Sequence, residues 1–251
     1  MTNTQAPVAL ITGAARRIGA AIASMLHSKG YRIIIHYQHS ATEAEALCAQ
    51  FNRTRKNSAH TLQANLMDTD SVQKLAHHSI ARWGQVNTLV NNASSFYPTP
   101  LASANENQWD ELIGSNVKGP YFLCQALGET LKEQRGSIVN IADIHAQQPL
   151  KNHTIYCIAK AGNRMLTRAI AQELAPAVRV NGIAPGVILW PEKKSENNEE
   201  NKIKLIKTIP LQRMGSSEDI ANVAAFLITD AHYISGQIIS VDGGKHLNGS
   251  D

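Results

Sequence analysis

Seven short runs rich in β-branched and other apolar residues recur along the chain, separated by stretches with helical periodicity. The runs are VALIT, YRIIIHY, HTLQANL, VNTLVNNA, GSIVNIA, VRVNGIAPG and QIISVDGG. Strands of such continuous apolar composition are buried on both faces, and parallel strands need long crossovers, which are usually helices. The alternation therefore predicts a doubly wound α/β fold, a parallel seven-stranded sheet with helices on both faces.

The length of the chain suits a single domain. A chain of 251 residues that is 43% apolar can bury a substantial core, so we expect one domain over residues 1–251. Its 24 basic and 20 acidic residues are scattered rather than clustered. This pattern predicts a solvated surface, with no nucleic-acid partner and no membrane partner.

The cysteines and the N-terminus indicate the compartment. Cys48, Cys124 and Cys157 are odd in number and lack the close spacing of a metal site, so neither a disulfide framework nor a bound metal is predicted. The start, MTNTQAPVALITG, has no basic stretch followed by a long apolar one, and no span of about eighteen apolar residues occurs. We expect a soluble protein of a reducing cytoplasm.

One segment, WPEKKSENNEENKIK at residues 190–204, is much more polar than its surroundings. It is too polar to pack tightly against a core. We predict a mobile loop beside the site at the carboxyl edge of the sheet, where loops of this fold carry function.

The first run leads into the turn TGAARRIG. Gly13 follows the strand directly, and Gly19 falls in the first turn of the next helix. Such a turn lets backbone N–H groups and the positive end of the helix approach a pyrophosphate, which predicts a dinucleotide ligand. Two glycines can also serve a tight turn for structural reasons alone, so the turn by itself leaves both interpretations open.

The end of the second strand, IIIHYQHSA, favours one dinucleotide. A site that prefers NAD usually carries an acidic residue here to bind the ribose hydroxyls. His36, His39 and Ser40 offer donors without negative charge, and Arg17 supplies a permanent cation for a 2′-phosphate. The pattern predicts NADPH/NADP+. The alternative is that the two histidines are simply polar residues at a strand end.

A helix is predicted from residue 152 to Pro176. Its apolar positions are Ile155, Ile158, Met165, Leu166, Ala169 and Ile170. Tyr156 and Lys160 then lie one turn apart on one face. An ammonium group beside a phenol lowers the pKa of the phenol, which would make Tyr156 a workable proton donor or acceptor. For an isolated pair of this kind, the alternative is a core tyrosine beside a snorkelling lysine.

Asp143 closes the fifth predicted strand and therefore belongs to the carboxyl edge of the sheet, where ligands of this architecture bind. A carboxyl group can accept a hydrogen bond and, when protonated, can also donate one. Two interpretations follow: Asp143 transfers protons together with Tyr156, or it is an ordinary loop carboxylate.

Six motifs follow one another in order across nearly the whole chain. They are TGAARRIG, NNAS, Asn116 in GSNVKGPYF, Tyr156 and Lys160 in YCIAK, RVNGIAPG and SVDGG. Together they resemble the short-chain dehydrogenase/reductase family, which implies a Rossmann-type fold and a nicotinamide cofactor. Six motifs in the right order are far more specific than any one of them.

Two departures from the general family pattern point to a subgroup. Arg17 stands at the middle glycine of the usual TGxxxGxG turn, and Asp143 stands where most members have a serine. Both residues, together with NNASSFYPTPL and HYQHSA, resemble the pteridine reductases. The chain lacks the long insertion after strand three of some trypanosomatid members. A bacterial relative or an allied dihydropterin reductase is therefore kept as an alternative.

The resemblance also implies roles for catalytic residues. Asp143 and Tyr156 would share proton delivery to the pterin nitrogens, with Asp143 serving the first reduction, through water or directly, and Tyr156 the second. Lys160 would hold the nicotinamide ribose. Asn116 would join Lys160 in a proton relay through water.

Binding residues follow from the same resemblance. Those assigned to the cofactor are Gly13, Arg17, Ile18, Gly19, His36, Tyr37, His39, Ser40, Asn65, Leu66, Asn92, Ala93, Ser94, Tyr156, Lys160, Pro185 and Gly186. Those assigned to the substrate are Arg17, Ser94, Phe96, Ser137, Asp143 and Tyr156. Asn65 replaces the aspartate of many relatives, but its amide oxygen can still accept from adenine. Phe96 would clamp a flat ring by offset stacking, or would merely anchor its loop.

We therefore expect an enzyme that reduces pterins or folates. The alternatives are a dihydromonapterin reductase, a carbonyl or 3-oxoacyl-thioester reductase, and an NADPH-binding regulatory or scaffold protein without chemistry. The C-terminal SVDGGKHLNGSD is similar to that of family members whose C-termini meet across a subunit interface. The resemblance thus implies a homotetramer.

Overall fold

The computed structural model describes residues 5–188 and 199–247. All seven predicted strands form one sheet. They are β1 (Val8–Ile11), β2 (Arg32–Tyr37), β3 (Ala59–Gln63), β4 (Thr88–Asn91), β5 (Ser137–Ile141), β6 (Arg179–Pro185) and β7 (Ile238–Val241). Their order is β3-β2-β1-β4-β5-β6-β7, and every neighbouring pair is parallel. The predicted doubly wound seven-stranded fold is confirmed.

Eight α-helices lie within the described residues. They are α1 (Arg17–Ser28), α2 (Ala41–Thr54), α3 (Thr69–Trp83), α4 (Glu106–Ile113), α5 (Gly119–Glu133), α6 (Thr154–Leu174), α7 (Glu199–Lys207) and α8 (Ser217–Thr229). Within that part of the chain, no helix combines the length and hydrophobicity needed to cross a bilayer.

The helices cover both faces of the sheet. Apolar side chains of α1, α2 and α8 form one core layer, and those of α3, α5 and α6 form the other. Successive residues of β1 alternate between the layers, because side chains of a strand point to opposite faces: Ala9 and Ile11 join the first, and Val8 and Leu10 the second. All four are fully buried.

A short π-helical turn, Gly114–Lys118, joins α4 to α5. Such turns widen a helix by one residue and are frequent at functional sites. Asn116 lies within the turn and is 1% exposed. The interruption thus places a polar side chain inside the protein, next to the carboxyl edge of the sheet.

Two local predictions need correction. Residues 190–198 of the predicted mobile loop lie outside the described residues, and residues 199–204 belong to α7, whose Leu205 and Ile206 are partly buried. In α6, Ile158 and Met165 are 47% and 62% exposed. At about 100° per residue they lie on the face opposite the buried stripe and do not contribute to the core.

Candidate active site

The site lies at the carboxyl edge of the sheet, beside the point where the strand order reverses between β1 and β4. In doubly wound sheets this crevice is where ligands bind. Two cavities, of about 620 Å³ and about 370 Å³, meet there and share Arg16, Asn92 and Ser94 in their walls. We call the first the turn cavity, because Gly13 of the glycine turn lines it, and the second the catalytic cavity, because Asp143 and Tyr156 line it.

The glycine turn is packed against the segment that follows β4. Asn92 Nδ2 donates hydrogen bonds to the carbonyl oxygens of Thr12 (2.9 Å) and Gly13 (3.1 Å). A Cβ at Gly19 would lie 2.3 Å from the Gly13 oxygen and 2.6 Å from Asn92 Nδ2. Only glycine fits there. Gly13 has φ 61°, and Arg17, at the family's middle-glycine position, keeps the same left-handed backbone with φ 55°.

His36 braces this turn from the end of β2. Its Nδ1 accepts from the backbone N–H of Gly13 at 3.1 Å, so Nε2 carries the proton and donates to the Ala64 carbonyl oxygen at 3.2 Å. Burial lowers the pKa of His36 to about 4, which keeps the ring neutral. The ring lines the turn cavity. The prediction that His36 donates to a cofactor phosphate is wrong, since its one N–H is already used.

Several of the residues predicted to bind the cofactor line the turn cavity. They are Gly13, Tyr37, His39, Ser40, Leu66, Asn92, Ala93 and Ser94. Asn65 Oδ1 instead accepts from the Met67 N–H (3.1 Å) and from Gln38 Nε2 (3.3 Å). Adenine would have to displace the Gln38 amide, so a role for Asn65 stays a prediction.

Arg16 is a site residue that the sequence interpretation missed. It lines both cavities, and its Nη1 lies 3.4 Å from Glu43 Oε1 of α2 in a pair that is largely exposed to solvent. An exposed pair of this kind is weak and exchanges readily. The sequence did contain a signal for Arg16 as a site residue, because it stands beside Arg17 in the same glycine turn. Arg17 itself lines the catalytic cavity.

The turn cavity and the catalytic cavity together form a groove that fits a dinucleotide. Among the described residues, no side chain caps the first turn of α1, and no acidic residue lies in that turn. The first N–H groups of α1 can therefore receive an anion at the positive end of the helix. Ile18 and Gly19 line the catalytic cavity beside this turn. The two cavities lie on either side of the shared residues, as the two halves of such a ligand require.

Asp143 and Tyr156 meet in the catalytic cavity. Tyr156 Oη donates a hydrogen bond of 2.6 Å to Asp143 Oδ2, and Asp143 Oδ1 accepts from the His145 N–H at 2.8 Å. The interpretation of Asp143 as an isolated loop carboxylate is therefore wrong. Burial, and then the Asp143 carboxylate, raise the pKa of Tyr156. The phenol is protonated and is held against an acid.

Lys160 completes the group from one turn further along α6. It is 2% exposed, and its Nζ donates to the Ile141 carbonyl oxygen at 2.9 Å. Burial lowers the pKa of Lys160 to about 8. The predicted lowering of the Tyr156 pKa by Lys160 is wrong here. Nζ lies 5.7 Å from the centroid of the phenol ring, whereas the Asp143 carboxylate directly contacts the hydroxyl.

Ser94 lines both cavities and is held from behind by the buried Asn116. Ser94 Oγ donates to Asn116 Oδ1 at 2.7 Å, and Asn116 Nδ2 donates to the Leu112 carbonyl oxygen at 2.9 Å. The backbone oxygen of Asn116 accepts from Asn163 Nδ2 at 3.0 Å, one turn beyond Lys160 on α6. The π-helical turn and α6 are thus joined at this point. The predicted water relay to Lys160 stays a prediction.

The opposite wall comes from the end of β6. Pro185 and Gly186 line the catalytic cavity, as predicted. A Cβ at Gly186 would lie 2.5 Å from the Asp242 Cβ, so this residue must be glycine. The Asp242 carboxylate accepts from the His246 ring (2.7 Å). Gln148, in the loop after Asp143, donates from Nε2 to the His246 carbonyl oxygen (2.5 Å) and so ties that loop to the C-terminal turn.

The structure places Phe96 and Ser137, both predicted to bind the substrate, at different edges of the sheet. Phe96 lines the catalytic cavity, with its ring edge-on to Tyr156. Ser137 is the first residue of β5 and pairs with Thr88 and Arg179, which begin β4 and β6. It therefore lies at the amino edge of the sheet, roughly 20 Å from Asp143 at about 3.3 Å per residue. The prediction that Ser137 binds the substrate is wrong.

Comparisons with known proteins agree with this geometry. The family model described as enoyl-(acyl carrier protein) reductase matches residues 13–246. The chain is 39% identical to pteridine reductase 1 of Leishmania tarentolae, over 98% of each chain. It is 35% identical to the 3-oxoacyl-[acyl-carrier-protein] reductase FabG of Staphylococcus aureus, over 95% of this chain and 98% of the relative. A 3-oxoacyl-[acyl-carrier-protein] reductase of Synechocystis is 35% identical, over 97% of this chain and 98% of the relative.

Proposed function

This chain belongs to the short-chain dehydrogenase/reductase family of oxidoreductases, and from that premise we propose that it is an NADPH-dependent pteridine reductase. Its substrates are oxidised or dihydro pterins, with folates as the larger members of the same class. The observation that carries the proposal is the 2.6 Å hydrogen bond between Asp143 and Tyr156. It gives the site two proton carriers, where a ketone reductase needs one.

The reduced nicotinamide, when bound, supplies a hydride. The glycine turn and the start of α1 would hold its pyrophosphate, and Lys160 and Pro185, which line the catalytic cavity, would contact the nicotinamide half. Preference for NADPH over NADH rests on Arg16, His39 and Ser40 at the end of the turn cavity that the ribose phosphate would occupy. An arginine and donors without negative charge suit a phosphate better than a pair of hydroxyls.

Reduction of a C=N bond needs one proton on nitrogen for each hydride added to carbon. Tyr156 is protonated, because burial and Asp143 raise its pKa, and it can give this proton up only to a strong base such as the nitrogen anion left by hydride transfer. Asp143 borders the same cavity and serves the first of the two reductions. Lys160, whose Nζ lies 5.7 Å from the centre of the phenol ring, would hold the nicotinamide ribose.

A pterin also has to be held flat against the nicotinamide. Phe96 offers an aromatic ring to the catalytic cavity, which Ser94 and Arg17 also line. Aromatic rings stack offset at centroid separations of about 4.5–7 Å, which suits a fused bicyclic substrate. Ser94 and Arg17 supply the polar contacts to the amino and carbonyl groups of the pterin.

The second candidate is a 3-oxoacyl-thioester reductase, which the similarity to the staphylococcal and cyanobacterial relatives favours. Two features of this chain weigh against it. A carboxyl group replaces the neutral hydroxyl of the family pattern at residue 143, and Arg17 adds a charge at the cavity entrance. A thioester ketone gains nothing from a second proton carrier. A dihydromonapterin reductase would use the same site and differs only in the substrate side chain.

A substrate panel decides between these candidates. NADPH oxidation is measured with biopterin, dihydrobiopterin, dihydromonapterin, dihydrofolate and an acetoacetyl thioester, over a range of pH. We expect the wild type to turn over at least one pterin. In Asp143→Ser, pterin turnover should fall by roughly 100-fold or more while the cofactor affinity stays unchanged. Turnover of the thioester alone, or full pterin turnover by Asp143→Ser, would refute the proposal.

We also propose that the chain forms a homotetramer in a reducing cytoplasm. The sheet ends at β7, and beside this edge lies a cavity of about 700 Å³ whose walls include Leu211 and Leu247, which are 65% and 73% exposed. A sheet edge flanked by apolar side chains favours association with another copy. Light scattering should give four times the 27.3 kDa of one chain. A monomer would contradict this.

A further inference from the structure

Phe96 lies in a corner formed by two rings at the start of α6. The His153 ring stacks on it face to face, with centroids 4.9 Å apart and planes at 13°. The Tyr156 ring meets it edge-on, at 4.8 Å and 75°. His153 is the N-cap residue directly before α6, and Tyr156 follows three residues later in the first turn of that helix. The start of α6 therefore holds both the phenol and the support for Phe96.

The backbone ties the same two segments together. The N–H of Thr99 donates to the carbonyl oxygen of Asn152 at 2.6 Å, and Thr99 pairs with His153 in a parallel bridge. The His153 ring is fixed in turn, because its Nδ1–H donates to the Lys151 carbonyl oxygen at 2.8 Å. The strand-like segment that carries Phe96 is thus anchored to the start of α6 by main chain and side chain alike.

We propose that His153 is a positioning residue for substrate binding, which backs one face of Phe96 so that the other face is presented to a flat heterocycle. Phe96 is 55% exposed, so the face away from His153 is open to the cavity that Asp143 and Tyr156 also line. The inference rests on the proposed function for the nature of the heterocycle. It assigns His153 to the binding step and not to proton transfer.

The ring, and not merely the volume, of His153 matters in this arrangement. A leucine would fill much of the same space but would leave the Phe96 plane free to rotate about its own side-chain torsions. A phenylalanine would restore a planar partner without a titratable group. Stacked aromatic pairs add roughly 0.5–1.5 kcal/mol beyond the area they bury, which corresponds to a change of about 2- to 12-fold in affinity.

The kinetic test compares His153→Leu with His153→Phe, and uses His78→Leu on the exposed side of α3 as the matched control. We expect His153→Leu to raise the pterin KM by roughly 3- to 10-fold, with kcat and the NADPH Kd within about twofold of wild type. His153→Phe should have the KM and the pH profile of the wild type. Wild-type KM in His153→Leu, or equal damage in both variants, would overturn the inference.

A second measurement is independent of turnover. The chain has four phenylalanines, so fluorophenylalanine labelling gives a ¹⁹F spectrum in which Phe96→Leu identifies the Phe96 signal. That signal should shift in His153→Leu and remain near its wild-type position in His153→Phe. An unchanged signal in His153→Leu would overturn the inference. If the signal moves as expected but the wild type reduces no pterin, the positioning of Phe96 stands and the proposed function fails.

Discussion

The two halves of the groove are built in opposite ways. Around the glycine turn, the protein satisfies its own polar groups: Asn92 bonds the turn carbonyls, and His36 bonds Gly13 and stays neutral. In the catalytic cavity, a phenol is pressed against a carboxylate, and a fully buried lysine stands one turn away. Burial moves the pKa of Tyr156 upward and that of Lys160 downward.

This difference separates the tasks of the two halves. The turn cavity is braced by these bonds, so it selects by shape, by the N–H groups at the start of α1 and by the charges at its end. The catalytic cavity holds ionisable groups away from their usual protonation behaviour, which is typical of sites that transfer protons and which costs folding stability. Variants in the two halves should therefore fail in different ways.

The largest effect should come from Tyr156→Phe, which removes the proton donor and leaves the shape of the site intact. We expect kcat to fall by roughly 10³-fold while the NADPH Kd changes by less than about twofold. Stopped-flow turnover and fluorescence titration of NADPH measure the two quantities. Tyr97→Phe, whose hydroxyl bonds Glu111 outside the catalytic cavity, is the matched control and should be nearly silent. If Tyr97→Phe lost as much turnover as Tyr156→Phe, the proposed difference between the turn cavity and the catalytic cavity would be contradicted.

Gly19→Ala should instead lower the stability of the protein and its affinity for the cofactor. Its Cβ would lie 2.3 Å from the Gly13 oxygen, so the turn must deform, at a cost of more than ~3 kcal/mol in the free energy of unfolding. Cofactor affinity should fall at least about 100-fold. Chemical denaturation and NADPH titration test both. Gly128→Ala in α5 has its nearest Cβ contact at 4.0 Å and should be neutral or stabilising by ~1 kcal/mol. A stable Gly19→Ala that binds NADPH would show that the turn is not rigid.

Lys160→Met should reveal the stability cost of the catalytic half. The pKa of Lys160 is about 8 in the folded protein and 10.5 when exposed, so between these pH values the unfolded chain binds more protons. The free energy of unfolding of the wild type therefore rises with pH from 8 to 10.5. Below pH 8, the charged lysine costs about 3 kcal/mol.

The methionine variant should be inactive but more stable at pH 7, and this advantage should vanish above about pH 10. Urea unfolding at several pH values measures it. The exposed Lys74→Met serves as control and should keep the wild-type pH dependence. A Lys160→Met variant that is less stable at pH 7 would mean that the bond to Ile141 outweighs the cost of burial.

The smallest effect belongs to the end of the turn cavity. Arg16→Gln should raise the NADPH Kd by roughly 10-fold and leave the NADH Kd unchanged, because only the former ligand presents a 2′-phosphate. Calorimetric titration with both cofactors measures the ratio. Arg53→Gln on the exposed surface of α2 is the control. Equal losses for the two cofactors would place Arg16 at the pyrophosphate instead.

The strand runs and the YxxxK spacing were enough to predict the sheet and the catalytic helix, because both depend on local periodicity. The sequence also placed Asp143 and Tyr156 at one edge. It did not predict the direction of the Tyr156 pKa, since that depends on which charge contacts the hydroxyl, and the nearest charge is Asp143 rather than Lys160. The direction of the Tyr156 pKa shift thus depends on a distance between two elements of the fold.

His36 and Ser137 illustrate the same limit. The sequence showed a donor at a strand end and a serine near a motif. It did not show that both nitrogens of His36 are engaged by Gly13 and Ala64. The run GSIVNIA already put Ser137 at the start of its strand, so the substrate role that the resemblance implied conflicted with that position. Arg16 was missed because neighbouring residues of a turn point in different directions, which no periodic pattern records.

The bond from Gln148 to His246 has a practical consequence for handling the protein. It joins the loop after Asp143 to the last described turn of the chain, whereas β1 starts at the far end of the sheet from the groove. Affinity handles and surface attachment should therefore use the N-terminus. A fusion at the other terminus would pull on the segment that carries the acid.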